Sequence, residues 1–416
     1  MNHVSSNTVN PAAQMATDPL SAARRYTVAC VTTDQGLADL QSEWNQLAGD
    51  QPFLSWDWCE CWWRHYCTTR GRLWVLTVRD ADGQLVGLAP WLLHNTLTQG
   101  RVVRFIGSNE VCGDRLTIVS SSEHRLSVVQ AIADWLTGPA AEQWDLLELT
   151  GVEGGDPSLT ELVARLQHHG HAAHVRQTMN CWRIELPATW EDFLKMVSKQ
   201  RRVRIRKMLR EKLDVGLASH RVVQSEDELA SGLDLLVELH QKRRNMLGES
   251  GCFASDRFAA FHAEYARRLL AQDKLYLSIT EMAGTPAAVG YDFILGDTMY
   301  HYQSGFEPAL ADERPGWLNL AATLRWAIER GIKRFDMLRG DESYKASFAA
   351  QPVPLVELRV AGRRKSSTLL HKAWLTQAGV KKWVRQGLNR AATWNRKAKP
   401  PLPQASVAPP SVPTMS

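Results

Sequence analysis

Between Tyr300 and Lys345 the chain strings together the residue types an anion site needs. His301-Tyr302-Gln303-Ser304-Gly305-Phe306 reads as a strand, Asp312-Glu313-Arg314-Pro315-Gly316-Trp317 as a loop, and Leu318 to Arg330 keeps a helical apolar period through Leu320, Leu324, Ala327 and Ile328. The first N–H groups of a helix lack intrahelical partners and sit at the positive end of its dipole, so a strand, a glycine loop and a helix together can hold phosphate. Pro315 suits a first-turn position, and Gly316 lets a ligand approach the backbone. The plain alternative is an ordinary helix cap.

Other charged groups compete for attention. Lys199-Gln200-Arg201-Arg202-Val203-Arg204-Ile205-Arg206-Lys207 is the densest charge run ahead of the tail: a solvated helix face, or a clamp whose arginines give planar donors to phosphate oxygens. His240, Arg243 and Arg244 follow the apolar run Leu233, Leu235, Leu236, Leu239; they end a helix favourably, or grip an anionic substrate or cofactor. The seven cysteines are scattered and read as reduced, mostly buried thiols, with no Cys-His constellation and no zinc spacing. His168-His169-Gly170-His171 has no carboxylate at ligand spacing and reads as a solvated helix end, so no metal is expected.

The elements that must position these residues are stated twice. Leu73-Trp74-Val75-Leu76-Thr77, Asp82-Gly83 and Leu85-Val86-Gly87-Leu88-Ala89-Pro90 form a strand, a turn and a strand; so do Leu275-Tyr276-Leu277-Ser278-Ile279, Ala283-Gly284 and Ala287-Ala288-Val289-Gly290-Tyr291. A helical run near Val128 to Leu136 leads to the strand Trp144 to Leu149, as Leu318 to Glu329 leads to Phe335-Asp336-Met337-Leu338. Helical material precedes each hairpin: Gly36 to Leu47 and Trp56 to Tyr66, then Asp227 to Arg244 and Ser255 to Leu270. The expected fold is α/β, two similar halves of mixed, mainly antiparallel sheet flanked by helices. Their expected bounds are 25–175 and 176–361, with a basic helical tail at 362–398 and disordered ends at 1–24 and 399–416.

Composition narrows the class. A chain of 416 residues, 44% hydrophobic and 22% charged, is that of a globular protein about two domains long. No stretch approaches the ~18 uninterrupted apolar residues of a membrane span, and residues 1–25 lack a secretory pattern, so the expected location is the cytoplasm. From Gly362 on there are eleven Lys or Arg and no Asp or Glu, which leaves a mildly acidic body of 38 basic against 44 acidic side chains. Such a body lacks the basic face of a DNA-binding fold. Residues 363–397 mix those cations with Trp374, Trp383, Trp394 and several leucines, the makeup of a helix lying on an anionic surface; peripheral inner-membrane contact competes with packing on the body or with disorder.

Residues from about Cys181 to Lys345 resemble the GNAT subfamily found in cellulose and exopolysaccharide operons, and the two-half layout resembles the FemAB-type peptidyltransferases. Arg201 to Arg210, Leu239-His240 with Arg243 and Arg244, Phe258 with Phe261-His262, Tyr302 to Phe306, Pro315-Gly316, and Phe335-Asp336 leading to Gly340 and Tyr344-Lys345 carry the likeness. It implies tandem GNAT-like halves and acyl transfer with acyl-CoA (acetyl-CoA) as co-substrate and no permanent cofactor. The donor would contact Gln303, Ser304, Gly305, Phe306, Arg314, Gly316, Trp317 and Leu318, and the substrate Arg201, His240, Arg244, Tyr302 and Lys345. Asp336 and Glu342 stand as candidate bases, Asp292 behind them, and Tyr344 as the acid for the leaving thiolate. Each also has a plain reading: Asp336 as a turn cap, Glu342 as a solvated acid, Tyr344 as core. The family's pyrophosphate loop, Gln/Arg-x-x-Gly-x-Gly/Ala, is met only by Arg314-Pro315-Gly316-Trp317-Leu318-Asn319, with one glycine and a bulky Trp317.

Three functions follow: acylation of an amine or hydroxyl of a polysaccharide or cell-envelope precursor, aminoacyl transfer from tRNA to a peptidoglycan precursor, or a silent scaffold of polysaccharide synthesis. The first half, lacking a counterpart of Pro315-Gly316, is expected to serve as a packed partner.

Overall fold

Matched turns and caps build two similar halves. In the first, Val75–Arg79 and Leu85–Ala89 pair antiparallel around a turn with Gly83 at φ 79°. In the second, Leu275–Met282 and Thr285–Leu295 pair around Ala283 and Gly284, at φ 50° and 76°, a left-handed pair that suits a tight hairpin. Each hairpin has an antiparallel neighbour that hydropathy alone did not announce, Thr27–Val31 in one half and Ala218–Val222 in the other. The helix entering each hairpin opens the same way: the Ser55 hydroxyl accepts from the Trp58 N–H at 3.2 Å, and the Ser255 hydroxyl from the Phe258 N–H at 3.3 Å. The computed structural model describes residues 26–364 with Ser367 and Leu369; the ends at 1–24 and 399–416 and nearly all of the basic tail lie outside the described residues.

These two capped helices, Trp56–Tyr66 and Asp256–Leu270, pack on each other and form the seam between the halves. Trp58 is fully buried there, edge-on to Phe261 and Tyr265 at 4.9 and 5.0 Å. At the rim Arg268 meets Asp57, Glu60 and Glu264, and Glu264 also meets Arg64 and His65. The helical run expected from Gly36 to Leu47 is broken at Leu40 into Asp34–Asp39 and Gln41–Ala48.

The halves share one eleven-stranded sheet, while Thr27–Val31 and the first hairpin form a separate four-stranded one with Val119–Ser120. At the centre of the large sheet, Ala173–Glu185 lies between Arg334–Arg339 and Gln351–Ala361, and Gln351–Ala361 in turn pairs with Leu146–Glu153 of the first half. One strand therefore runs through the residue 175/176 junction, and the described residues up to Arg363 form one compact unit. Among the described residues no helix is long and apolar enough to cross a membrane.

Candidate active site

The site opens where two parallel strands part. Thr298–Phe306 pairs with Arg334–Arg339 only through Thr298↔Arg334, Met299↔Phe335 and Tyr300↔Asp336. Beyond Tyr300 the first strand has no strand partner on that side, while its other edge stays paired with Thr285–Leu295 as far as Phe306. The unpaired edge carries backbone N–H groups toward the gap.

Asp336 makes the strands separate. Its Oδ1 accepts from the Leu338 N–H at 3.0 Å, which holds Leu338 left-handed at φ 53° and turns the chain out of the ladder. The carboxylate is fully buried and meets Arg115 of the first half at 2.5 Å. Burial pushes it up to about 6, against the pull of Arg115. Asp336 thus lies behind the wall rather than in the cavity, because its carboxylate is already engaged by a turn and an ion pair. Next along the chain, Arg339 is anchored by Asp114 at 2.6 Å.

The gap is a cavity of about 290 Å³ into which both halves contribute, with Glu110, Cys112 and Asp114 from the first and Arg243, Arg244 and Cys252 from the second. Of the residues expected at a site, Gln303, Ser304, Tyr302, Arg244, Glu342, Tyr344 and Lys345 line it. Their chemistry differs from expectation in places. Lys345 is buried with its three donors taken, by the carbonyls of Leu338 and Arg339 at 3.2 and 2.8 Å and by Glu342 at 3.1 Å, so it braces the loop. The Tyr302 hydroxyl donates to the Val111 carbonyl at 2.5 Å, toward the seam. Tyr344 has its hydroxyl pushed up to about 12 by burial and the nearby Glu342 carboxylate, and therefore holds its proton. His240 is buried behind the wall.

His301, which the sequence offered only as a strand residue, lines the same cavity. Its Nδ1 lies 2.6 Å from Oδ1 of the wholly buried Asp292 and its ring stacks on Phe335 at 5.9 Å. An imidazole donating from Nδ1 to a carboxylate presents Nε2 as a base. A bulge between Tyr291 and Asp292 sets this pairing, and register is not written in residue types.

The helix Pro315–Glu329 follows the cavity-lining strand through a short turn at Pro308–Glu313. Asn319 docks it on the sheet by donating to the hydroxyls of Ser278 and Thr280 at 3.1 and 3.2 Å. Arg314, left-handed at φ 54°, precedes it, and no side chain caps its first turn. Phe306 links helix and cavity: a Cβ on Gly316 would lie 3.5 Å from its ring, and cavity-lining Arg243 sits over that ring at 5.3 Å. Trp317 does not stand free. Phe348 packs against it at 5.3 Å, and the guanidiniums of Arg201 and Arg314 lie 3.8 and 5.8 Å from its centroid. Among the described residues Arg201 has no carboxylate partner and its buried Nη1 makes no hydrogen bond; burial and the neighbouring Arg204 and Arg314 lower its proton affinity. Leu318 is fully buried, so only its backbone is available to a ligand.

Residues 198–346 match the family model described as an acetyltransferase (GNAT) domain. That match lies within the second half and covers about a third of the chain. No curated protein matches the chain. Among solved structures, FemX is 13% identical with a TM-score of 0.54, covering 79% of this chain and 96% of its own. A conserved protein of unknown function from Bacteroides thetaiotaomicron VPI-5482 is 12% identical with a TM-score of 0.52, covering 80% of this chain and all of its own. These likenesses concern the fold; the stretch that matches the GNAT model holds the parted strands and the helix Pro315–Glu329.

Outside that stretch there is a cavity of about 440 Å³ where the repeat in the first half would place one, bordered by Val119, Ser120, Arg115, Arg125, Glu153 and Asp156 and, from the second half, Arg183. The turn before its helix Arg125–Thr137 is Ser121-Ser122-Glu123-His124, without glycine. His171 is not solvated as expected: it is buried, with Nδ1 2.8 Å from the Ala361 carbonyl and its ring stacked on Trp144. Cys61, His65 and Glu264 lie close enough to share a metal, but Arg64 and Arg268 already neutralise the carboxylate. The cysteines are all free, and Cys59, Cys61 and Cys181 are buried.

Proposed function

We propose that the chain transfers an acyl group from acyl-CoA, acetyl-CoA in the simplest case, to an amine or hydroxyl of a polysaccharide or cell-envelope precursor. The observation that carries the donor is the unpaired Arg201, stacked with Arg314 on Trp317 at the uncapped start of Pro315–Glu329. Cations without counter-ions beside a helix N-terminus suit a pyrophosphate. From there the donor's thioester reaches the cavity past Phe306, and the N–H groups of the unpaired strand edge beyond Tyr300 polarise its carbonyl.

Nε2 of His301, held by Asp292, takes the proton of the acceptor amine or hydroxyl as it attacks. Tyr344 keeps its proton in the resting site and gives it to the departing thiolate. The acceptor class rests on the resemblance of residues 181–345 to the polysaccharide-operon subfamily, which also favours a place at the inner membrane.

Calorimetric titration with acetyl-CoA and coenzyme A, on the wild type and a Gly316→Glu variant, tests the donor. Gly316 has room for a side chain, so the variant folds while its carboxylate repels phosphate. Binding lost in the variant supports the reading; no binding to the wild type overturns it and points to an aminoacyl-tRNA donor or a silent scaffold.

A further inference from the structure

A thiol, an imidazole and two amides meet at one wall of the cavity. The helix Glu226–Met246 is followed by a turn with Gly248 and Gly251 at φ 73° and 71°, which returns the chain to a single helical turn at Cys252–Ala254. Gln241 ties the turn down by donating to the Ser250 carbonyl at 2.7 Å. A Cβ on Gly251 would lie 2.2 Å from the Gln241 Oε1 and displace that amide, and the backbone at φ 71° itself favours glycine. The result places Cys252 Sγ 3.7 Å from Nε2 of His240, while His240 Nδ1 lies 3.0 Å from the Gln241 Oε1. From the cavity side Gln303 Nε2 donates to the same sulfur at 3.6 Å.

The hydrogen bonds fix the tautomer. An amide oxygen accepts, so His240 carries its proton on Nδ1 and turns a bare Nε2 to the thiol. A nucleophile touching a base, a base oriented by a third group, and a further donor beside the sulfur make up the geometry of covalent acyl transfer. The sequence offered no Cys-His constellation; the two glycines create one by folding twelve residues back on themselves. Cys112 also borders the cavity, but its thiol donates to the Asn109 carbonyl at 3.3 Å and meets no imidazole.

We infer that Cys252 is an acyl-carrying nucleophile, so that the acyl group of a thioester donor rests on its sulfur before reaching the acceptor. Sγ attacks the thioester carbonyl as His240 Nε2 takes the thiol proton; the carbon–sulfur bond of the donor breaks, and the donor thiolate leaves with the proton of Tyr344. A new thioester replaces the old one, so no oxidant or other co-reactant is needed. The acceptor then attacks acyl-Cys252 as Nε2 of His301 takes its proton; the bond between Cys252 Sγ and the acyl carbon breaks, His240 returns its proton to the sulfur, and the proton on His301 restores Tyr344. Burial raises the thiol to about 12 and lowers His240 to about 4, so the resting pair is neutral and the proton moves during the attack.

This inference rests on the acyl-thioester reading of the site but not on the nucleotide part of the donor, and the test separates the two. The full chain is incubated with acetyl-CoA, or with the small thioester S-acetyl-N-acetylcysteamine, quenched in acid, and examined by intact mass and peptide mapping. The expected result is one acetyl group on Cys252, released by hydroxylamine, absent in Cys252→Ala, retained in Cys112→Ser, and formed about a hundredfold more slowly in His240→Gln. Thermal melts of the variants confirm that they fold. Labelling by the small thioester without acetyl-CoA binding supports Cys252 while removing the CoA donor. Acetyl-CoA binding with an unmodified Cys252, label shared equally with Cys112, or full transfer activity in Cys252→Ala overturns the inference.

Discussion

Arg115 of the first half and Asp336 of the second meet at 2.5 Å, and the turn that opens the cavity hangs on the same carboxylate. Asp336→Asn keeps an oxygen for the Leu338 N–H and takes from Arg115 one of its two carboxylates, with Glu153 remaining at 3.3 Å. Because burial disfavours the charged carboxylate despite Arg115, the neutral variant should match or exceed the wild type in urea unfolding at pH 7. The pH dependence follows from the raised value of about 6. A carboxyl whose folded value exceeds its unfolded value of about 4 contributes stability that is fully present below pH ~4 and is lost as pH rises through the folded value. The wild type should therefore lose stability between about pH 4 and 6 from this group, and Asp336→Asn should flatten that slope.

For His301, the expected signature is kinetic. Once an acceptor is in hand, His301→Gln should lower kcat by about 10² to 10⁴ with little change in donor KM, the usual range for removing a general base. Asp292→Asn should lower kcat less, since the base remains but its orienting carboxylate is gone. Equal losses in donor affinity would place His301 in binding instead.

Gly305 is needed for what it lacks. A Cβ there would lie 2.5 Å from the His240 backbone nitrogen and 2.9 Å from Leu239 Cβ, where Glu226–Met246 crosses the strand. Gly305→Ala must push the helix off the sheet and should cost about 1–3 kcal/mol, read as a lower melting temperature. Because His240 rides on that helix, the same variant should also slow labelling of Cys252.

What the sequence revealed was what repeats and what alternates. Gly83 and Ala283-Gly284 mark the hairpins and Ser255 marks a cap, so the elements of both halves could be found from local rules. The strand Gln351–Ala361 escaped because Pro352 and Pro354 argue against a central strand; both sit before Leu355, where pairing with Leu146–Glu153 begins, and so have a strand on one side only. At the site, Gln303, Ser304, Glu342 and Tyr344 were legible because they follow the parting strands in order. His301 with Asp292 and Cys252 with His240 were not, since a bulge and a doubly glycine turn bring those pairs together. Asp336 was singled out for its charge, and its plain reading as a turn cap is the one that its bond to Leu338 supports.

The pairing of Leu355 with Glu153 has a consequence during synthesis. On the ribosome, Leu146–Glu153 emerges long before Gln351–Ala361 exists, so one side of an early strand waits unpaired while most of the second half is translated. An open edge of that kind recruits other chains. Cutting the gene between the halves would leave each fragment with the other's missing strand, which makes co-expression of the two, rather than either alone, the way to obtain them folded.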